Sequence, residues 1–129
     1  MSAVAITIQA LLAASGVTAL VGSRIEPDVV PQGSAYPVIR VYLVSEGSEP
    51  GLAQDSAPYM ARVSVEAVGD RSLDVHAVAE AVKAAFEGYR NQTVLARTVS
   101  IFRQGSDASL YDDPAKKFRR VTDYMVGWK

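Results

Sequence analysis

Few residues in this chain have the chemical reach to catalyse or to ligate. His76 is the single histidine. It falls one turn before Glu80, the spacing at which an imidazole and a carboxylate meet on one helix face, and an imidazole so placed could serve as a general base. The chain has no cysteine and no second histidine, so neither a thiol nucleophile nor a metal-ligand spacing forms around it. His76 is therefore read as structural. Asp112 and Asp113 stand before Pro114; such a pair could hold a cation or pass a proton, but it is also ordinary turn chemistry, the reading adopted here. Lys116, Lys117, Arg119 and Arg120 form the one basic run. It could touch phosphate, yet at the entry to a strand it serves to charge an exposed edge against unwanted pairing. Neither GxGxxG, GxxxxGK[ST] nor GxSxG occurs, which leaves no phosphate loop and no nucleophile elbow. No catalytic, cofactor-binding or metal-binding residue is assigned, and the expectation is a protein that is not an enzyme and needs no cofactor.

The totals agree with that. A chain of 129 residues suits one domain, 1–129, with a single hydrophobic core. Its 49% hydrophobic and 21% charged content excludes global disorder. A formal charge of −1 argues against gripping nucleic acid by bulk positive charge. The absence of cysteine fits a reducing cytosol. Residues 1–70 carry 3 Arg against 7 Asp/Glu, a net of −4, and residues 71–129 carry 10 Lys/Arg against 7 Asp/Glu, a net of +3. That split is either a matter of solvated faces or the mark of a dipolar subunit made for head-to-tail contacts.

Around these residues the patterning predicts an α+β fold. A helix is expected from about residue 2 to 15, with Val4, Ile8, Leu11 and Leu12 as its buried stripe and Gly16 as its stop. The stretch lacks a basic start and is too short to span a bilayer, so no membrane role is expected. Val17 to Gly22 is ambiguous, and Pro27, Pro31 and Gly33 mark an irregular connection. Strands are expected over 36–45 and 59–68, paired as a hairpin. In the second, Ala61, Val63, Val65 and Ala67 face a core while Arg62, Ser64 and Glu66 face solvent. The 13 residues Glu46 to Pro58 between them make an unusually long hairpin loop, either a surface excursion or a partner-binding arm. Residues 72–89 form the clearest helix, capped by Ser72 and burying Val75, Val78, Ala79, Val82, Phe86 and Tyr89. Strands at 95–104 and 118–128 follow, joined by a second long linker, Gly105 to Lys117. The expected order is α-β-β-α-β-β: a four-stranded, mostly antiparallel sheet with two helices on one face.

These landmarks resemble a known family. The run Leu20-Val21-Gly22-Ser23-Arg24-Ile25, then Pro27, Pro31-Gln32-Gly33 and Tyr36-Pro37, is its most specific part. Arg62-Val63-Ser64-Val65-Glu66 and Arg119-Arg120-Val121-Thr122-Asp123-Tyr124-Met125-Val126 continue the match, with Glu66 where aspartate is commoner. The chain is similar to the tail-completion, or tail-terminator, proteins of long-tailed bacteriophages, prophages and gene transfer agents.

That resemblance implies a virion structural protein, assembled in the host cytoplasm, forming a closed and typically hexameric ring at the head-proximal end of the tail tube. The ring would end tube growth and offer the surface for joining the head. Its partners would be further copies of itself, the tail tube protein and head–tail connector or neck proteins, with DNA passing through the lumen without specific binding. Contacts are expected from the two long connections: Glu46, Glu49, Leu52 and Asp55 in the first, and Arg103, Asp112, Asp113, Lys116, Lys117 and Arg119 at and around the second. A head-closure or connector role is the alternative within the same class. A small-ligand-binding α+β domain, which would enclose an apolar pocket, is the alternative outside it.

Overall fold

A computed structural model describes residues 2–48 and 59–129. The first helix, α1 (Ala3–Leu12), starts where the Ser2 hydroxyl accepts the Ala5 N–H at 3.0 Å. It buries Ala3, Ile6, Thr7, Ala10 and Leu11. Of the expected stripe only Leu11 is fully buried; Val4, Ile8 and Leu12 pack partly against the core. The helix is apolar on nearly every side, so periodicity could not fix its phase, and the side bearing small Ala3 and Ala10 is the one turned inward. Thr7 is tolerated there because its hydroxyl donates to the Ala3 carbonyl at 2.7 Å. Gly16 does not end α1 but lies within a second helix, α2 (Ser15–Val21), at 88° to the first. That helix buries Val17 and Val21 and ends at Gly22, whose φ of 59° suits glycine. Among the described residues no single helix is long and apolar enough to cross a membrane.

The remaining elements are β1 (Ile25–Pro27), β2 (Val38–Ser48), β3 (Tyr59–Gly69), α3 (Ser72–Phe86), β4 (Gln92–Val94), β5 (Arg97–Asp112) and β6 (Lys117–Trp128). The strands form one sheet in the order β1-β2-β3-β6-β5-β4, with β1 parallel to β2 and the other neighbours antiparallel. The expected four-stranded sheet with two helices is thus corrected to a six-stranded mixed sheet with three helices. Both missed strands have only three residues, IEP and QTV, too few for a period of two to register. The second linker also proves to be mostly strand. The β5 ladder runs on to Asp112 through a bulge between Gln104 and Ala108, which leaves residues 113–116 as the turn. In the first hairpin the ladder reaches Ser48 opposite Tyr59, so Glu46 is already within a strand.

Five of the six residues of the predicted α3 stripe are buried, Val75, Val78, Ala79, Val82 and Phe86, whereas the helix ends at Phe86 and Tyr89, beyond it, is only partly buried. Ser72 opens the helix without capping it, since Arg71 holds the N-cap position and no side chain bonds there. One face of the sheet supplies Ile39, Val41, Ala61, Val63, Val65, Ala67, Val99, Ile101, Tyr124 and Val126 to the same core. Phe86 meets the Tyr124 ring edge-on at 5.0 Å, which fixes α3 over β6.

Candidate functional site

The other sheet face carries an ordered array of charge. The register sets Arg40 of β2 beside Glu66 of β3, and brings Arg119 and Val121 of β6 alongside Glu66 and Val68. Glu66 accepts from Arg40 at 3.0 Å and from Arg119 at 2.5 Å. Arg119 reaches on to Asp112 of β5 at 3.2 Å. A second group lies two pairs along the same strands, where Asp123 takes Arg62 at 2.8 Å and also accepts the Ser64 hydroxyl. Lys117 ends the row on Asp70 at 2.5 Å. Each cation in this set is matched by an anion.

The expected solvent exposure of Ser64 and Glu66 is therefore overturned. Both are 3% exposed, because the long side chains of neighbouring strands close over them. Burial works against the Arg119 charge, and the hydrogen bonds it donates to Glu66 and Asp112, with the attraction of those carboxylates, more than offset it, so its pKa rises. Arg40 adds a donor to the Asp28 carbonyl at 2.8 Å and lies 4.2 Å over the Tyr42 ring.

A separate ion cluster sits on the helical side. Asp107, in the β5 bulge, accepts from Arg120 at 2.9 Å and from Lys83 of α3. Burial raises the Asp107 pKa, but the Lys83 and Arg120 contacts outweigh it and hold the carboxyl below its usual range. Arg120 also donates to His76 Nδ1 at 2.6 Å, so the lone histidine acts as a brace between α3 and β6. Beside the cluster, Tyr124 keeps a buried hydroxyl without a partner among the described residues, and burial pushes its pKa upward. The adjoining cleft, about 380 Å³, is lined by Lys83, Glu87, Arg90 and Arg103 together with Phe86 and Phe102. That charged lining is unlike the enclosed apolar pocket of the ligand-binding alternative.

The basic run does not guard an edge as expected, because β6 lies between β3 and β5 in the sheet interior. Lys117, Arg119 and Arg120 are consumed by internal ion pairs, and Lys116 sits in the turn with φ 54°. Asp112 accepts the Ala115 N–H at 3.3 Å and the Asp113 carbonyl accepts the Lys116 N–H at 3.2 Å, which is the expected turn chemistry. Arg103 and Glu46 are exposed on β5 and β2. Glu49, Leu52 and Asp55 lie outside the described residues. The named positions thus fall at opposite ends of the sheet and form no single cluster. The sequence reading missed Arg40, Arg62, Glu66, Asp107 and Asp123 as members of paired networks, although the alternation around all but Asp107 was visible.

The sheet also divides the charge. Strands β1, β2 and β3 come from the acidic half of the sequence and β4, β5 and β6 from the basic half. Opposite edges of one sheet therefore belong to segments of opposite net charge.

Comparison with known proteins agrees with this picture. The family described as tail completion protein gp17 matches residues 6–127. In a solved structure titled as the virion of a native gene transfer agent particle, one chain superposes with a TM-score of 0.69 at 18% identity, covering 98% of this chain and 94% of its own. A second solved chain gives a TM-score of 0.59 at 16% identity, with 92% and 88% covered. At those identities the likeness speaks to fold. No curated protein matches the sequence.

Proposed function

Because this chain belongs to the tail completion protein gp17 family, and is thus a structural tail component of a virion and not an enzyme, we propose that it forms a closed ring at the head-proximal end of the tail tube. The ring, six-fold as the resemblance implies, ends tube polymerisation and presents the surface to which the head or its neck proteins join. The observation that carries this reading is the charge-matched sheet face. In a ring with that face inward, Arg40, Arg62, Lys117 and Arg119 are each neutralised within the subunit. Duplex DNA then meets no field of free cations, releases few counterions, and passes without being held. In this reading Glu46, Glu49, Leu52 and Asp55, and across the subunit Arg103, Asp113 and Lys116, contact neighbouring copies or the tube. Asp112, Lys117 and Arg119 shape the second contact from within.

The test is to add purified protein to polymerising tail-tube subunits and image the product by negative-stain electron microscopy. Ring-shaped caps on shortened tubes are expected. Tubes of unchanged length with bare ends overturn tube termination, and binding to portal-side particles instead would support the head-closure role.

A further inference from the structure

Both edges of the sheet are only partly covered. On β2, the parallel strand β1 pairs with Ile39, Arg40 and Val41 through Asp28 N–H to the Val41 carbonyl. From residue 42 to 48 the outer side of β2 has no backbone partner among the described residues. On β5, β4 pairs with Arg97, Thr98 and Val99, and Tyr89 takes the Ile101 N–H. From residue 103 to 112 the outer side of β5 is likewise unpaired among the described residues.

Each open stretch holds a bulge, between Leu43 and Ser45 and between Gln104 and Ala108, but neither has the lysine or proline that guards solitary edges. They read YLVSEGS and RQGSDASLYD. They expose Leu43 (45%), Val44 (48%), Leu110 (56%) and Tyr111 (51%). We propose that these two edges are the ring joint: the open stretch of β2 in one copy pairs antiparallel with the open stretch of β5 in the next.

Three features support a second copy as the occupant. First, the directions agree. β2 and β5 run opposite ways within one sheet, so a copy related by rotation brings its β2 antiparallel to its neighbour's β5. The contact is heterologous, the kind that closes into rings. Second, the exposed apolar residues agree, because Leu43 and Val44 on one stretch have Leu110 and Tyr111 to meet on the other, while charge does not select the partner, each stretch having a formal net of −1. Third, the short strands act as stops. β1 blocks the far end of the β2 edge and β4 blocks the near end of the β5 edge, so the open stretches meet only if neighbours are staggered along the strands.

The stagger has a size. Residues 42–48 stand level with Ser64 to Tyr59 of β3, and 103–112 stand level with Val63 to Gly69 through β6. Matching the stretches offsets neighbours by roughly 4–6 residues, or ~14–20 Å at ~3.4 Å per residue. Four strands per copy, β2, β3, β6 and β5, span ~19 Å at ~4.8 Å per strand. The strands then tilt by about 35–45° to the ring axis, the tilt found in closed barrels. This register sets Leu43 beside Tyr111, whose ring packs on Phe118 at 4.8 Å. Asp107, bonded to Lys83 and Arg120, clamps the bulge and so preforms the β5 edge.

This inference rests on the ring reading, and its test separates the two. In the cysteine-free chain, the double variant Leu43→Cys, Tyr111→Cys is assembled on tube ends and oxidised. Within one copy the two strands are about 14 Å apart, beyond disulfide reach. The expected result is a ladder of covalent species rising to the subunit number of the ring, absent from either single variant. Rings seen by microscopy without any ladder, or a ladder stopping at the dimer, overturn the edge joint but leave the ring. Absence of rings with wild-type chain overturns both. A second variant, Leu43→Lys, should keep its circular dichroism and lose ring formation; intact rings with that variant also overturn the joint.

Discussion

Glu66 is the residue on which the uncovered sheet face turns, and replacing it by glutamine tests that face directly. The carboxylate is 5% exposed and serves two guanidinium groups, each about a quarter exposed. Removing one member of a fully buried pair costs about 3–5 kcal/mol. Here the arginines keep solvent contact and further partners, Arg40 at the Asp28 carbonyl and Arg119 at Asp112, and glutamine retains one acceptor oxygen. Losing one charge-assisted bond and the attraction behind it is worth about 1.5–3 kcal/mol. For a chain of this length that lowers Tm by roughly 5–12 °C. The assay is paired urea and thermal unfolding, followed by far-UV circular dichroism and by fluorescence of Trp128, the single tryptophan. Glu66→Asp should fall in between, since its shorter reach satisfies one arginine at a time. The same variants carry a second readout. Glu66→Gln leaves the face one positive charge in excess per copy, so an assembled ring should gain a salt-sensitive affinity for duplex DNA. A Glu66→Gln protein within about 0.5 kcal/mol of wild type would refute the claim that Glu66 anchors the network.

Other expectations follow from single contacts. Asp107→Asn should remove part of the acid sensitivity of folding. The depressed Asp107 pKa supplies stability above the ordinary carboxylate range that is lost as pH falls through its folded value, so the variant should be less stable at neutral pH and show a flatter profile in acid titration. Tyr124→Phe should be neutral or stabilising by up to about 1 kcal/mol in urea unfolding, because it deletes a buried hydroxyl with no partner among the described residues. Gly69→Ala should destabilise by about 1–3 kcal/mol, since a new Cβ would meet Val75 Cγ2 at 2.9 Å; a stability equal to wild type would show that α3 shifts freely at its start.

Long elements with a strong period were legible in the sequence. The stripe of α3 from Val75 to Phe86 and the β2–β3 hairpin follow from hydrophobic periodicity and β-branched runs over about ten residues. What failed was short, bulged or apolar throughout. β1 and β4 have three residues each, β5 hides its continuation behind a bulge at Gly105-Ser106-Asp107, and α1 offers hydrophobic residues on too many sides. The charge network was half legible. Arg62-x-Ser64-x-Glu66 on one strand and Arg119-x-Val121-x-Asp123 on another run from plus to minus in the same direction. Laid antiparallel they neutralise each other at both ends, as observed. The alternation was visible in one strand at a time, but its complementarity needs the β3–β6 pairing, which crosses α3 and two other strands and cannot be read from local pattern.

The choice of ion pairs over hydrophobic residues on that face has a physical rationale beyond stability. Well-packed apolar side chains would often stabilise as much as buried salt bridges or more, so stability alone does not account for Arg40, Arg62, Glu66, Arg119 and Asp123. An apolar sheet face without helices over it would associate with other proteins, and an unmatched basic face would hold nucleic acid. Matched pairs avoid both while keeping neighbouring strands in register, since a slip of one residue moves every charge to the other face of the sheet. In the proposed ring, the subunit's rigidity and the passivity of its lumen therefore come from the same contacts. A variant that breaks one of them should lose stability and gain DNA retention together, and a variant that separated the two effects would show that the face is not the lumen.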